Sequence, residues 1–283
     1  MCEKSKRLKL IGIYVLATLI LIVYLGPYLW MFMTSIKTQA DVMMWPPKII
    51  PDQLYLKNYI DVFSTNLPRA FLNSLIVATT SVIINITLSS LAGYGFARLK
   101  FYGKDTLFML ALATMMVPPG LLVVPLFTMM KNMPFGGANG WLDTYLGLII
   151  PFAVTGFGVF MMRQFFLTIP MDLDEAAKID GANKFIIYSR IIMPLAKPAV
   201  SLVAIFSFLT QWNNYLWPLT VARSQEMYTI QVALKAFQGQ YNINWPMIMT
   251  GASVAVLPTL LIYFTLQKYF EKGLAGVGTG VKE

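Results

Sequence analysis

The chain has 283 residues, 57% of them hydrophobic and 12% charged, whereas an ordinary soluble domain carries about 25% charged residues. The apolar residues recur along the whole length, which excludes a water-soluble globule and leaves no room for a separate soluble domain. The net charge of +9 sits in short basic clusters beside apolar runs, a pattern that orients a chain in a bilayer and argues against a nucleic-acid partner, while a single Cys and no His exclude intrachain disulfides, His-based catalysis and Cys or His metal sites.

A helix needs about 20 apolar residues to cross the hydrocarbon core, where no water satisfies its backbone. The first such run, Leu10 to Met33, is too long for a signal-peptide core and precedes no small-residue cleavage site, so it is expected to stay in the mature protein. The loop from Ser35 to Arg69 holds Pro46, Pro47 and Pro51, which interrupt helix, and is expected to lie partly extended on the outer surface. In the second run, Ala70 to Phe96, the small residues Ser89 and Gly93, continued by Ala97, recur at a spacing of four and permit close helix contact in lipid. The third, Thr106 to Met130, contains Pro118, Pro119 and Gly120, where lost backbone hydrogen bonds predict a kink: a candidate gate hinge or a fixed bend. The fourth runs from Tyr145 to Met162.

Residues 169–194 follow, with the densest charge in the chain. Pro170 suits a first helical turn, Asp172, Asp174 and Glu175 complement the positive end of the helix dipole, and Gly181 is placed to end the helix. A second short helix is expected from Asn183 to Met193, stopped by Pro194. On the first helix Leu173, Ala176, Ala177 and Asp180 share a face whose alanines let another backbone approach, as in docking into a cleft; a solvated hairpin on the inner membrane surface is the plain alternative.

The fifth run, Pro198 to Leu216, carries Gln211, Asn213 and Asn214 near its outer end. Their uncharged groups suit sugar hydroxyls along a translocation path, or hydrogen bonds between helices. Trp212, Tyr215 and Trp217 fit an interfacial aromatic belt. The sixth run is Met247 to Leu266. Of the 22 Lys and Arg, only Lys37, Lys48, Lys57, Arg69, Lys131, Arg223 and Lys235 fall on one side of the six runs, so both termini are expected in the cytoplasm.

Glu175-Ala176-Ala177, Gly181, Ile191 and Pro194 resemble, at matching spacing, the EAA loop of binding-protein-dependent ABC permeases; Met193 stands where leucine is typical. Asn73-Ser74, Gly93 to Arg98, Met116-Val117-Pro118, Gln211-Trp212-Asn213 and Tyr228-Thr229 are similar to the carbohydrate-uptake, MalG-type branch, and the resemblance runs from about Pro46 to the C terminus. It implies an all-α integral membrane protein with six transmembrane helices, the type I ABC importer permease fold and both termini cytoplasmic. The organisation implied is an N-terminal segment 1–69, a permease core 70–267 and a cytoplasmic tail 268–283.

The resemblance further implies a non-enzyme of the bacterial cytoplasmic membrane that works with a dimer of ATP-binding subunits, a second permease subunit and an extracytoplasmic solute-binding protein. Asp174, Glu175, Ala176, Ala177, Asp180, Gly181, Ile191 and Pro194 would couple to the ATP-binding subunits. No cofactor or metal would bind directly, with ATP and Mg held by those partners; the lack of a Gly-x-x-x-x-Gly-Lys-Ser/Thr loop agrees. The expected solute is a sugar or oligosaccharide, with a polyol, glycerol phosphate or peptide as the alternative. A secondary transporter is disfavoured, because the six runs contain no Asp, Glu, Lys or Arg.

Overall fold

The computed structural model describes residues 2–238 and 243–278, with side chains for 10–238, 243–265 and 267. Among these residues the secondary structure is helical, apart from one isolated antiparallel bridge between Gln238 and Ile243. In chain order the helices are α1 (Cys2–Ser35), α2 (Gln39–Met43), α3 (Lys57–Phe63), α4 (Leu67–Arg98), α5 (Lys104–Ala113), α6 (Pro119–Lys131), α7 (Tyr145–Ile149) and α8 (Gly156–Thr168). They continue as α9 (Asp172–Ile179), α10 (Lys184–Ile186), α11 (Met193–Leu195), α12 (Lys197–Trp212), α13 (Leu216–Val221), α14 (Ile230–Ala236) and α15 (Trp245–Gly278). The tail expected at 268–283 begins as the end of α15, and its residues 279–283 lie outside the described ones.

Three helices are long and apolar enough to cross a membrane unbroken: Leu10–Ser35, Leu67–Arg98 and Trp245–Thr265. Three bent pairs bring the crossings to six when each pair counts as one. The third apolar run departs furthest from expectation, since it is two helices at 104° and not a kinked rod. Val117 is extended, Pro118 caps the second helix and Pro119 opens it, so two consecutive prolines deny the first helix both its backbone donors and its geometry. The fourth run bends by 45° where extended Thr155 starts α8, its hydroxyl accepting from Gly158 N at 3.0 Å. Ahead of the fifth run, the helical stretch 184–195 meets α12 at 77° across Ala196, two residues before Pro198.

The chain divides into two compact units, 1–68 with 234–257, and 69–233 with 258–283. In the first, α1 exposes its side chains along its apolar length. Buried Asn58 on α3 donates to Ser35 O (2.9 Å) and Lys37 O (2.7 Å), and Thr250 on α15 also donates to Ser35 O (3.0 Å), which satisfies carbonyls at the end of α1. The Gln39 side chain donates to Ile243 O (3.0 Å) and accepts from Trp245 N (3.1 Å), fastening α2 to the start of α15. The second unit is built around α4, whose buried polar residues Ser81, Asn85 and Ser89 follow one face at four-residue spacing, while Asn73, Ser74 and Ser90 are buried at other turns.

A cytoplasmic hairpin and a neutral cavity joined by one helix

Asp172, Asp174 and Glu175 occupy the first turn of α9, as expected, although the helix starts at Asp172 and leaves Pro170 outside it. Gly181 adopts φ +82°, its N–H bonds Lys178 O (3.0 Å) and the next N–H, of Ala182, bonds Ala177 O (2.9 Å). These two bonds close a Schellman cap, which needs a left-handed residue at its centre and therefore a glycine. Asn183 then caps α10 by accepting from Ile186 N at 2.9 Å. The pair of short helices turning at Gly181 is thus written in local chemistry.

Pro194 does not stop the second helix. A π-helical stretch, Ile187–Ile192, joins α10 to α11, and Pro194 lies within α11, which ends at Leu195. The wider π turn makes room where the proline ring meets the preceding carbonyls, so the helix passes through it and the break falls at Ala196.

The hairpin is anchored and not merely solvated. Ile187, Tyr188 and Ile192 share one core with Tyr94 of α4, Met162 and Phe166 of α8, and Ala199 and Val203 of α12, with Ile191 and Met193 packed against it. The expected coupling set splits accordingly. Asp174 and Ala177 turn into the protein, Ile191 is half-buried, and Glu175, Ala176, Asp180, Gly181 and Pro194 are exposed. Two of the four residues that share the expected docking face, Ala176 and Asp180, are therefore presented to solvent together, beside partly exposed Leu173, while Ala177 is used internally.

Deeper along α4 lies the second part of the site. A cavity of about 310 Å³ is lined by Ser81 and Asn85 of α4, Phe152, Thr155 and Phe157 around the start of α8, and Phe206, Ser207, Thr210 and Gln211 of α12. Asn85 Nδ2 donates to Ser207 Oγ (2.6 Å) and Thr155 Oγ1 (3.1 Å), and its Oδ1 accepts from Ser89 Oγ (2.6 Å). One amide therefore ties three elements together at the cavity wall. Gln211 makes the bond between helices that was the plain reading of it, donating to Ser81 Oγ (3.0 Å), and also lines the cavity.

A larger cavity of about 600 Å³ shares Phe152, Thr155, Phe157 and Thr210 with the first and is also lined by Asn213, Asn214, Pro119 and Gly120. Gln211 thus lines the first cavity, and Asn213, Asn214, Pro119 and Gly120 line the second, which adjoins the first through their four shared residues. Among the described residues, no Asp, Glu, Lys or Arg lines either cavity.

Trp212 and Trp217 are not belt residues: both are fully buried, Trp212 stacks on Phe208 with centroids 5.4 Å apart, and Trp217 donates to Gly147 O at 3.0 Å. Ser81, Asn85, Thr155 and Ser207 had not been singled out from the sequence. For Ser81, Asn85 and Ser89 the available signal was polar residues every fourth position in an otherwise apolar helix, which in lipid must face partners.

A multispan helical chain with an anchored cytoplasmic hairpin next to an uncharged cavity has the form of a transport permease. Residues 85–276 match the family described as the binding-protein-dependent transport system inner membrane component, and the chain belongs to that family. It is 36% identical over 265 residues to the arabinooligosaccharides transport system permease protein AraQ of Bacillus subtilis, covering 92% of each chain. To the lactose transport system permease protein LacG of Rhizobium radiobacter it is 30% identical over 277 residues, covering 98% of each. Its fold matches a chain in the crystal structure of a bacterial ABC transporter involved in the import of the acidic polysaccharide alginate, with TM-score 0.82 and 25% identity over 94% of this chain and 98% of that one. The protein is an inner-membrane permease subunit of an ABC importer with the type I permease fold.

Proposed function

We propose that this permease carries a sugar or oligosaccharide delivered by an extracytoplasmic binding protein, and that ATP hydrolysed on a dimer of partner subunits drives it through the α9 hairpin, alongside a second permease chain. The observation that carries the reading is continuity. The hairpin exposes Glu175, Ala176, Asp180 and Gly181, is packed by Ile187, Tyr188 and Ile192 onto α4, α8 and α12, and passes through a single 77° bend into α12, which lines the cavity with Ser207, Thr210 and Gln211. A push on the exposed face has a packed route to the cavity wall.

The cavity supports a neutral hydroxylated solute. Its polar groups are hydroxyls and amides that exchange hydrogen bonds with sugar hydroxyls, and Phe152, Phe157 and Phe206 offer apolar faces. A charged solute such as glycerol phosphate would find no counter-charge there, and the similarity to permeases for arabinooligosaccharides and lactose points the same way.

The test is to purify the full complex, screen its binding protein against sugars, polyols, peptides and phosphate esters by thermal stabilisation, and measure ATP hydrolysis and uptake with each hit. Stabilisation by sugars together with sugar-stimulated hydrolysis is expected. Stabilisation by peptides or phosphate esters alone would overturn the solute assignment. Glu175→Arg, at an exposed position of α9, is expected to weaken retention of the ATP-binding subunits on an affinity column; unchanged retention and stimulation would remove the docking role.

A further inference from the structure

Three residues one turn apart at the cytoplasmic end of α4 hold the two arms of the hairpin. Ser90 Oγ and the Tyr188 hydroxyl are 2.7 Å apart, and both residues are buried. The Tyr94 hydroxyl donates to Lys184 O at 3.4 Å, and its ring lies 5.3 Å from that of Tyr188. Arg98 takes the other arm: Nη2 donates to Ile169 O at 2.6 Å, Nη1 contacts the Met171 sulfur, and Nε lies 3.4 Å from Asp174 Oδ2.

The Arg98 and Asp174 side chains are each only 4% exposed, and the two facing atoms, Arg98 Nε and Asp174 Oδ2, make no hydrogen bond among the described residues, so the charges meet as a buried ion pair alone. Two buried charges held this way have no alternative to each other, so separating them leaves both uncompensated in a dry site. Arg suits this place better than Lys, because its fork reaches a carbonyl and a carboxylate at once.

From this geometry we infer that Arg98 and Asp174 are positioning residues for energy coupling: the pair locks α9 to α4, so displacement of the hairpin by ATP-binding subunits moves the α4 face that carries Ser81 and Asn85 at the cavity. The carboxylate next to Glu175 in sequence therefore serves the permease internally, and the neighbouring Glu175 faces outward. Packing alone does not supply this lock. The apolar core beneath the hairpin fixes its distance from α4, whereas the buried ion pair, together with the Nη2 bond to Ile169 O, also fixes its register along the helix.

This inference rests on the proposed docking of ATP-binding subunits at α9, and the experiment separates the two. In the full complex reconstituted in vesicles, Cys2→Ser with Thr210→Cys places one thiol at the cavity wall. Its rate of reaction with a small methanethiosulfonate reagent is compared without nucleotide and after trapping with ATP and vanadate. If nucleotide does not change that rate in the parent complex, the docking reading itself fails.

Given a change in the parent, Asp174→Asn is expected to retain the ATP-binding subunits and to hydrolyse ATP. The nucleotide-dependent change in thiol reactivity should fall about tenfold, a size typical of coupling between sites. A response within twofold of the parent overturns the inference. If Asp174→Asn does not assemble, the double variant Arg98→Met with Asp174→Leu is read instead, since it removes both charges and leaves no lone buried ion. An assembled double variant that stays uncoupled supports the lock, and one that regains the parent response shows that packing suffices and overturns it.

Discussion

The cytoplasmic end and the middle of α4 use the same four-residue spacing to different ends. At the end, Ser90, Tyr94 and Arg98 spend their polar groups on the hairpin, in a site filled by Phe166, Ile187 and Ile192. In the middle, Ser81, Asn85 and Ser89 also meet partners on other turns and helices, but the space beyond Ser81 and Asn85 is open. A polar face on a membrane helix is thus a grip where its surroundings are filled and a cavity wall where they are not. The same helix joins the two without a proline or a break.

The most severe way to break this contrast is at Gly93, within the cytoplasmic stretch that grips the hairpin. A Cβ there would lie 2.8 Å from Met162 Cβ and 2.9 Å from Arg163 N, and the helix backbone cannot retreat. Gly93→Leu is expected to force α4 and α8 apart at a cost of about 3 kcal/mol or more, read as loss of monodisperse protein in detergent and a lowered unfolding midpoint. A variant with the parent midpoint would show that the contact yields.

Next in size is Asn85→Ala. It leaves Ser207, Thr155 and Ser89 without their common partner, and hydrogen bonds between membrane helices contribute about 0.6 kcal/mol each on average. A loss of about 2 kcal/mol is expected in equilibrium unfolding in mixed detergent, with altered uptake kinetics. An unchanged stability would assign Asn85 to the solute and not to the frame.

Gly181→Ala sharpens the comparison from the other side. The site has space for a Cβ, so the cost comes from φ +82° alone, about 1–2 kcal/mol confined to the hairpin. Hydrogen exchange should accelerate in α9 and not around Asn85. Equal acceleration in both places would mean that the hairpin and cavity unfold as one.

The smallest effect lies on the outer side, at Asp143. Burial raises its carboxyl, but the backbone N–H groups of Ser224 (3.0 Å) and Arg223 (2.8 Å) outweigh it, and the net shift is below the ordinary value of 3.8. The stabilisation is complete above that value and fades as pH falls through the lowered one. Unfolding midpoints should therefore be flat above about pH 4 and decline below it, with the decline reduced in Asp143→Asn. An identical acid profile in both proteins would contradict this.

Much of the fold was legible because lipid imposes a severe rule: the six apolar runs, the charge bias and the cap residues Asn183 and Gly181 each leave local marks. What periodicity could not give was the angle at each break. Pro118 and Pro119 announced an interruption, but 104° is set by what the following helix packs against, and Pro194 looked like a stop until a π turn absorbed it. The site was half legible. Gln211, Asn213 and Asn214 border the cavities as their polarity suggested, whereas Asp174 and Ala177 turn inward because α9 docks on α4 and α8, and no local signal records that orientation.

The cavity wall also bears on how such a protein diversifies. Asn85, Ser207 and Gln211 are committed to bonds that hold helices together, so exchanging them disturbs the frame. The Thr210 hydroxyl makes no hydrogen bond among the described residues, and Phe157 and Phe206 face each other across 5.2 Å. Exchanging these three breaks no side-chain hydrogen bond between helices. On the proposed reading of the cavity as the solute's path, preference drifts by substitution at Thr210, Phe157 and Phe206 without breaking the bonds between helices, which lets one scaffold serve a succession of different sugars.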